Sequence, residues 1–227
     1  MKIAVIGATG ATGRKVVERA LDLGHEVIAV ARRPEVITPT ARLSVRQGDV
    51  LDMPSMAEAL VDTDMVISCL GPSGNFSQGT VISEGISSIR KNFSPGTTMS
   101  VGITNILAAC ESAGVKRFVM QSGIGLSDGK ELSVLNRLAI HISGRIFTKA
   151  VEDKAVAEHA VQQSELNWVI VRPPALSDTA ATSKYAAGPL IRISPLRPLS
   201  FADCADCLVR AATNEPTWIR KIINVGR

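Results

Sequence analysis

Aromatic residues are scarce in this sequence of 227 residues, at 4% of the chain. There is one tyrosine, Tyr185, and the three histidines are His25, His141 and His159. The core is therefore predicted to consist of Val, Ile, Leu and Ala. The histidines are far apart and form no His-Glu-x-x-His motif, which excludes that class of zinc site.

Cysteine is also infrequent, with four residues, Cys69, Cys110, Cys204 and Cys207. Nothing in this number or spacing indicates a disulfide framework. The Cys204-x-x-Cys207 pair lies within a helical pattern, with no second cysteine pair or histidine nearby. That context favours buried packing over a redox or metal site.

Long apolar runs and blocks of basic residues are missing. No apolar run approaches the ~20 residues of a membrane span, and the run at residues 3–6 is too short for the core of a signal peptide. The net charge is +4, but Lys and Arg are scattered, which suits an acidic small molecule or phosphate better than DNA. We therefore expect a cytoplasmic monomer with no nucleic-acid or membrane partner.

Short apolar runs alternate with amphipathic stretches along the chain. This pattern is typical of the α/β class, with a doubly wound, Rossmann-type parallel sheet buried on both faces. Strands are predicted at 2–6, 26–31, 43–46, 65–70, 117–121, 168–172 and 219–225, and helices at 13–23, 54–61, 102–113, 148–163 and 203–212. We expect one domain over 1–227, in which residues 175–227 form a small irregular substrate wall.

A local repeat follows the fourth predicted strand. Residues 76–89 recur as residues 93–106, with eight of fourteen positions identical. We interpret this as a tandem duplication; chance similarity in a Ser/Gly-rich region is the alternative. The second copy continues without a breaker into a predicted helix, so we expect it to be structural and the first copy to form a lid over the cofactor face.

A glycine-rich segment, Gly7-Ala8-Thr9-Gly10-Ala11-Thr12-Gly13, links the first strand to the first helix. Gly7 permits a tight turn, Gly10 lets the backbone approach a pyrophosphate, and Gly13 lets the helix pack against the strand. The helix N-terminus then faces the phosphates. This context predicts a dinucleotide site, while a turn that serves packing alone is the alternative.

The end of the second strand predicts which dinucleotide binds. NAD sites usually place an acidic residue there for the ribose 2′-hydroxyl, whereas this chain has Arg32 and Arg33. Two guanidinium groups suit a 2′-phosphate, which favours NADP(H) over NAD. The alternative is a pair of solvated surface arginines.

The acid of most short-chain dehydrogenases, a tyrosine four residues before a lysine, is absent, because Tyr185 is followed at that spacing by Pro189. Ser122 follows the fifth strand but lacks the flanking pattern of a nucleophile elbow. Lys154 lies in a predicted helix, and its spacing places it opposite the apolar Val156 and Val161. A solvated helix lysine is therefore an open alternative to a functional one.

Taken together, these motifs resemble those of the NmrA-like atypical short-chain dehydrogenases, and within them the flavin reductase/biliverdin-IXβ reductase branch. The resemblance covers almost the whole chain. It rests on residues 7–13, on Ala-Arg-Arg (31–33), Gly-Asp-Val-Leu (48–51), Leu-Gly (70–71), Gln-Ser-Gly (121–123), Glu-Asp-Lys (152–154) and Val-Arg-Pro-Pro (171–174). The duplicated segment departs from that branch.

The resemblance implies roles for individual residues. Gly7 belongs to the glycine turn, and Thr9, Gly10, Ala11, Thr12 and Gly13 would hold the pyrophosphate. Arg32 and Arg33 would hold the 2′-phosphate, and Asp49 and Val50 would flank the adenine. Cys69, Leu70 and Gly71 would line the ribose and nicotinamide, Ser122 and Lys154 would lie beside the carbon that transfers hydride, and Pro173, Pro174, Ala175 and Leu176 would cover the carboxamide.

The implied activity is an NADPH-dependent reductase whose acceptor is planar, such as a flavin, a quinone or a linear tetrapyrrole. Such acceptors take hydride without a strong protein acid, which agrees with the missing tyrosine. A non-catalytic NADP sensor that controls a protein contact is the alternative from another class.

Overall fold

A computed structural model describes residues 1–71, 98–127, 148–189 and 191–227 of the chain. Their central feature is an eight-stranded sheet with the order β3-β2-β1-β4-β5-β6-β10-β8. All neighbours are parallel except β8, which is antiparallel to β10. The strands are β1 Lys2–Ile6, β2 Glu26–Ala31, β3 Leu43–Gln47, β4 Met65–Ser68, β5 Arg117–Gln121, β6 Trp168–Arg172, β8 Ala186–Gly188 and β10 Lys221–Gly226. Two further strands, β7 Leu176–Ser177 and β9 Leu199–Ser200, pair with each other.

Helices cover both faces of this sheet. They are α1 Ala11–Asp22, α2 Met53–Ala59, α3 Thr98–Ser112, α4 Thr148–Gln163 and α5 Phe201–Thr213. One core cluster joins α1 and α5 to the strands, and a second joins α2, α3 and α4 to the opposite face. Alternate residues of β1 divide between them: Ile3 and Val5 enter the first cluster, and Ala4 and Ile6 the second. The predicted α/β, doubly wound, Rossmann-type fold is therefore confirmed.

Several predicted elements have the observed bounds, and others differ at their ends. The strands predicted at 2–6, 26–31, 117–121 and 168–172 and the helix at 148–163 agree with the structure. Helix α1 ends where Gly24 adopts a positive φ of 83° and its N–H donates to the Leu21 carbonyl. Helix α5 begins earlier than predicted, because the Ser200 hydroxyl accepts from the Asp203 N–H and caps it.

The predicted substrate wall, residues 175–227, contains both core and peripheral elements. Helix α5 packs against α1, and β10 joins the central sheet. In residues 175–189 and 191–200, the elements are the short strands β7, β8 and β9.

The first copy of the repeat, residues 76–89, lies outside the described residues, so the lid expectation stays a prediction. The second copy is described from Thr98 onward. It forms the first part of α3, which runs on through Ser112.

Candidate cofactor site

The glycine loop between β1 and α1 brings its own backbone into close contact. Gly7 has a φ of +77°, and a Cβ on it would lie 2.9 Å from the Cys69 carbonyl oxygen. A Cβ on Gly13 would lie only 2.1 Å from the Gly7 carbonyl oxygen. The loop is closed by the Gly10 N–H, which donates to that same carbonyl at 3.0 Å. Glycine at positions 7 and 13 is therefore a steric requirement of this turn.

The N-terminus of α1 is left open toward the loop. Its cap residue, Gly10, supplies no side-chain acceptor, and the first turn contains no acidic residue. Thr9, Gly10 and Ala11 are exposed, while Thr12 and Gly13 are buried. The free N–H groups and the helix dipole favour an anion at this position.

The loop lies at the point where the strand order reverses between β1 and β4. In open α/β sheets, ligands bind in the crevice outside the carboxyl ends of the strands at this switch point. Cys69, Leu70 and Gly71 follow β4 there, and the Cys69 N–H donates to the Ile6 carbonyl at 2.9 Å. Asp49 and Val50 follow β3 at the same edge.

Arg32 and Arg33 extend from the end of β2, and both are exposed. Neither guanidinium group makes a hydrogen bond or ion pair with any other described residue. A short 3₁₀ turn, Pro34–Val36, follows at once and turns the chain away from the strand. The two cations are thus available to an anion at this edge of the sheet.

Backbone hydrogen bonds join the segments at the ends of β5 and β6, next to α4. The Ser122 N–H donates to the Val171 carbonyl at 2.8 Å, and the Ile124 N–H donates to the Pro173 carbonyl at 2.9 Å. A Cβ on Gly123 would lie 3.8 Å from Lys154 Nζ. Ser122 and Lys154, expected to act together, therefore lie next to the same short segment.

The Ser122 hydroxyl is buried, with 5% of the residue exposed. Its Oγ has no hydrogen-bond partner within the described ranges. A buried hydroxyl without a partner costs free energy, which indicates that a ligand or solvent molecule completes the site.

Lys154 does not lie on a solvated face, so the expectation that it points away from Val161 is wrong. Val161, seven residues on and nearly two turns away, is fully buried on the same side of α4, whereas Val156 is 59% exposed. Burial lowers the pKa of Lys154 from its ordinary value, and the negative charge of Glu158 opposes that shift. The helix is turned so that its lysine faces inward.

A buried ion pair that the sequence analysis missed lies one helical turn after Lys154, between Glu158 on α4 and Arg172 on β6. Arg172 donates from Nε and Nη2 to the two carboxylate oxygens of Glu158, at 3.1 and 2.6 Å. The side chains are 12% and 3% exposed. Glu158 follows Lys154 by four residues, and this spacing was the signal in the sequence that the two side chains share one face of the helix. The pairing of Glu158 with Arg172 on β6 is a tertiary contact, which the sequence does not indicate.

Asp153, the middle residue of the Glu-Asp-Lys motif, has a structural role. Its carboxylate accepts from the backbone N–H groups of Met99 and Ser100, at 2.9 and 3.1 Å. It therefore caps the N-terminus of α3, in a favourable position for the helix dipole. Two neighbouring residues of this motif therefore have different roles, because Asp153 caps α3 and Lys154 faces the segment after β5.

The remaining predicted wall residues lie after β6. Pro173 and Pro174 are buried, Ala175 is exposed and Leu176 is partly buried. The Ala175 carbonyl accepts from the Leu199 N–H at 2.9 Å, and β7 begins at Leu176. This segment is fixed by backbone pairing at the carboxyl edge of the sheet.

Cys204, Cys207 and the tyrosine belong to the packing of the protein. Cys204 and Cys207 are fully buried in the first core cluster, which agrees with the packing interpretation. Burial raises the pKa of Cys69 to about 12, so it stays a neutral thiol near pH 7. The Tyr185 hydroxyl donates to Asp206 on α5 and accepts from Arg210 at 3.3 Å.

These residues fit a nicotinamide dinucleotide. The helix N-terminus above the glycine turn is uncapped, Arg32 and Arg33 at the end of β2 have no partner among the described residues, and neither does the buried Ser122 hydroxyl, one residue before Gly123. Within residues 1–71, 98–127, 148–189 and 191–227, no group of His, Cys, Asp and Glu is arranged to hold a metal ion. In the same ranges, none of the helices has the length and apolar content that crossing a membrane requires.

Comparison with known proteins agrees with this geometry. A family model described as NAD(P)H-binding matches residues 7–215. An uncharacterised chloroplastic protein of Arabidopsis thaliana is 28% identical over 192 residues, which are 83% of this chain and 64% of that protein. The chain therefore matches less than two thirds of that relative's length.

Solved structures share the fold. A wide-type short-chain dehydrogenase/reductase from Veillonella parvula DSM 2008, in complex with NADP, has a TM-score of 0.75 at 18% identity, covering 100% of this chain and 94% of that one. An anaerobillin reductase from Escherichia coli O157:H7 has a TM-score of 0.74 at 23% identity, covering 100% and 97%. At these identities the likeness establishes the fold.

Proposed function

Because this chain belongs to the NAD(P)H-binding family, we propose that it is an NADPH-dependent reductase for a planar acceptor: a flavin, a quinone or a linear tetrapyrrole such as biliverdin. The observation that carries the proposal is a glycine turn under an open helix N-terminus, together with the Ser122 hydroxyl, which has no partner among the described residues and lies one residue before Gly123, where Lys154 Nζ approaches the backbone. NADPH would supply the hydride, and the protein would supply binding and orientation.

In this proposal, different residues along the carboxyl edge of the sheet bind different parts of NADPH. Thr9, Gly10, Ala11, Thr12 and Gly13 would hold the pyrophosphate, and Arg32 and Arg33 the 2′-phosphate. Lys154 would hold the nicotinamide ribose, and Ser122 would orient the carboxamide or relay a proton from solvent. The segment 173–176 would close the wall against the nicotinamide.

The cofactor preference rests on the two arginines. We expect Arg32→Asp and Arg33→Asp each to weaken NADPH binding by about 1.5–3 kcal/mol, the worth of a charge-assisted contact. NADH, which lacks the 2′-phosphate, should lose little or nothing. Calorimetric titration of both cofactors checks this result, with Arg42→Asp, an exposed arginine before β3, as the matched control. Equal losses for NADPH and NADH would contradict the 2′-phosphate role.

The proposed acceptors do not need a strong protein acid, which agrees with the absence of a free tyrosine from the described part of the site. The one tyrosine, Tyr185, is hydrogen-bonded to Asp206 and Arg210 on α5. Flavins, quinones and tetrapyrroles accept hydride into a conjugated system and take their proton from solvent. The solved structure of similar fold from Escherichia coli O157:H7 is, by its name, an anaerobillin reductase.

A panel of acceptors tests the activity. Flavins, quinones and biliverdin are each added to the protein with NADPH, and NADPH consumption is followed by absorbance. We expect turnover with at least one of them. Tight NADPH binding with no turnover on any acceptor would contradict the reductase proposal and favour an NADP sensor.

Ser122 and Lys154 are expected to have separable effects. Ser122→Ala should lower turnover about tenfold, or ~1.4 kcal/mol, because its role is positional. Lys154→Ala should weaken NADPH binding more than it slows hydride transfer. Steady-state kinetics and direct titration distinguish the two. A drop of many thousandfold for Ser122→Ala with NADPH affinity intact would instead require acid–base catalysis by the serine.

A further inference from the structure

Helix α3 makes direct contact with the segment after β3. Asn105 donates from Nδ2 to the Val50 carbonyl oxygen at 2.9 Å, and its side chain is partly buried. This hydrogen bond joins residues 55 positions apart. It therefore fixes the segment against a different element of the fold.

The same helix approaches this segment one turn earlier. A Cβ on Gly102 would lie 3.0 Å from Val50 Cγ2 and 3.2 Å from Leu70 Cδ2. Glycine at this position allows the helix axis to lie close to two residues that are expected to line the cofactor. Gly102 and Asn105 thus act on Val50 from the same face of α3.

The Gly48 N–H donates to the Ala31 carbonyl of β2 at 3.1 Å, whereas the other described hydrogen bonds of residues 49–52 are local. The Leu51 N–H donates to Asp49 Oδ1 at 3.0 Å, and the Asp49 N–H donates to Ser55 Oγ at 3.1 Å. These bonds shape the turn itself. Among the described residues, the Asn105 bond is the one that ties Val50 itself to a different element of the fold.

The repeat shows which copy can supply this contact. Gly102 and Asn105 belong to the second copy, and the equivalent residues of the first copy are Gly85 and Ser88. A serine hydroxyl ends about one bond nearer the backbone than an asparagine amide. The first copy therefore carries the glycine but lacks the long amide donor.

We propose that Asn105 is a positioning residue for the adenine half of the cofactor, acting through the Val50 carbonyl. The inference rests on the proposed binding of NADPH at this edge. By holding Val50 in place, the Asn105 amide keeps the wall of the adenine pocket at a fixed distance from the glycine loop. It has no part in placing the nicotinamide half.

Two variants, Asn105→Ala and Asn105→Ser, test this role with ligands that represent the two halves of NADPH. In both, the Kd of 2′,5′-ADP and of NADPH should rise about fivefold, the value of one neutral hydrogen bond. The Kd of reduced nicotinamide mononucleotide, read from its fluorescence, should stay unchanged. Thr104→Ala is the matched control, because the described partner of that exposed hydroxyl is the Ser100 carbonyl of its own helix, at 2.9 Å.

Two results would overturn the inference while leaving the proposed function intact. One is equal weakening of both half-ligands, which indicates general loosening. The other is a lower Tm for both variants with the 2′,5′-ADP affinity unchanged, which indicates a role in stability alone. A wild-type protein that binds neither NADPH nor 2′,5′-ADP overturns the proposed function itself, and the inference with it.

Discussion

Gly13→Ala is expected to abolish detectable NADPH binding and to lower the free energy of unfolding by about 3 kcal/mol. The new Cβ would lie 2.1 Å from the Gly7 carbonyl oxygen and 2.8 Å from the Gly7 carbonyl carbon. Both are backbone atoms, so no side chain can rotate away to relieve the contact. The loop must open, and the N–H groups at the start of α1 then lose their common direction.

Urea unfolding and calorimetric titration measure the two effects of Gly13→Ala. Gly125→Ala is the matched control, because a Cβ there meets nothing within 4 Å. We expect that variant to stay within about 0.5 kcal/mol of the wild type and to bind NADPH normally. A Gly13→Ala protein with unchanged stability and NADPH affinity would contradict the loop geometry.

Glu158→Leu is expected to lower the free energy of unfolding by about 3–5 kcal/mol, because it leaves a buried guanidinium group without its counter-ion. Arg172 is 12% exposed in its side chain and gives two hydrogen bonds to this one carboxylate. Lys154 also loses a nearby negative charge. Its pKa, already lowered by burial, should fall further.

The double variant Glu158→Leu with Arg172→Leu separates pairing from packing. Removing both charges should be less destabilising than Glu158→Leu alone, since no unpaired ion remains buried. The exposed pair of Lys15 and Glu18, with side chains 40% and 60% exposed, is the surface control. Glu18→Gln should change stability by less than about 1 kcal/mol. A Glu158→Leu protein as stable as the wild type would contradict the role assigned to this pair.

The strand–turn–helix pattern at the N-terminus was predictable because its signals are local. The strands β1 and β2 are buried on both faces of a parallel sheet. Their sequences are therefore continuous apolar runs, which can be recognised without the structure. Gly24 ends α1 through its own positive φ. The glycines at positions 7 and 13 follow from the same short turn, which explains why the loop could be interpreted without the structure.

Contacts between distant elements were not predictable in this way. Asp153 caps α3 from α4, so the helix starts at Thr98 although the local pattern predicted residue 102. The inward rotation of α4 depends on Glu158 meeting Arg172 on β6. Lys154 was predicted to lie opposite both Val156 and Val161, with a solvated lysine as the open alternative, whereas Val156 is exposed and Val161 is buried on the same side of the helix as the lysine.

Affinity of the wild-type protein for NADPH compared with NADH tests the central claim most directly. Both cofactors are titrated by calorimetry under one buffer and salt concentration, because the arginine contacts are screened by salt. The glycine loop with Arg32 and Arg33 predicts that NADPH binds at least about tenfold more tightly, equivalent to ~1.4 kcal/mol. Equal affinity for the two cofactors, or tighter binding of NADH, would contradict this assignment.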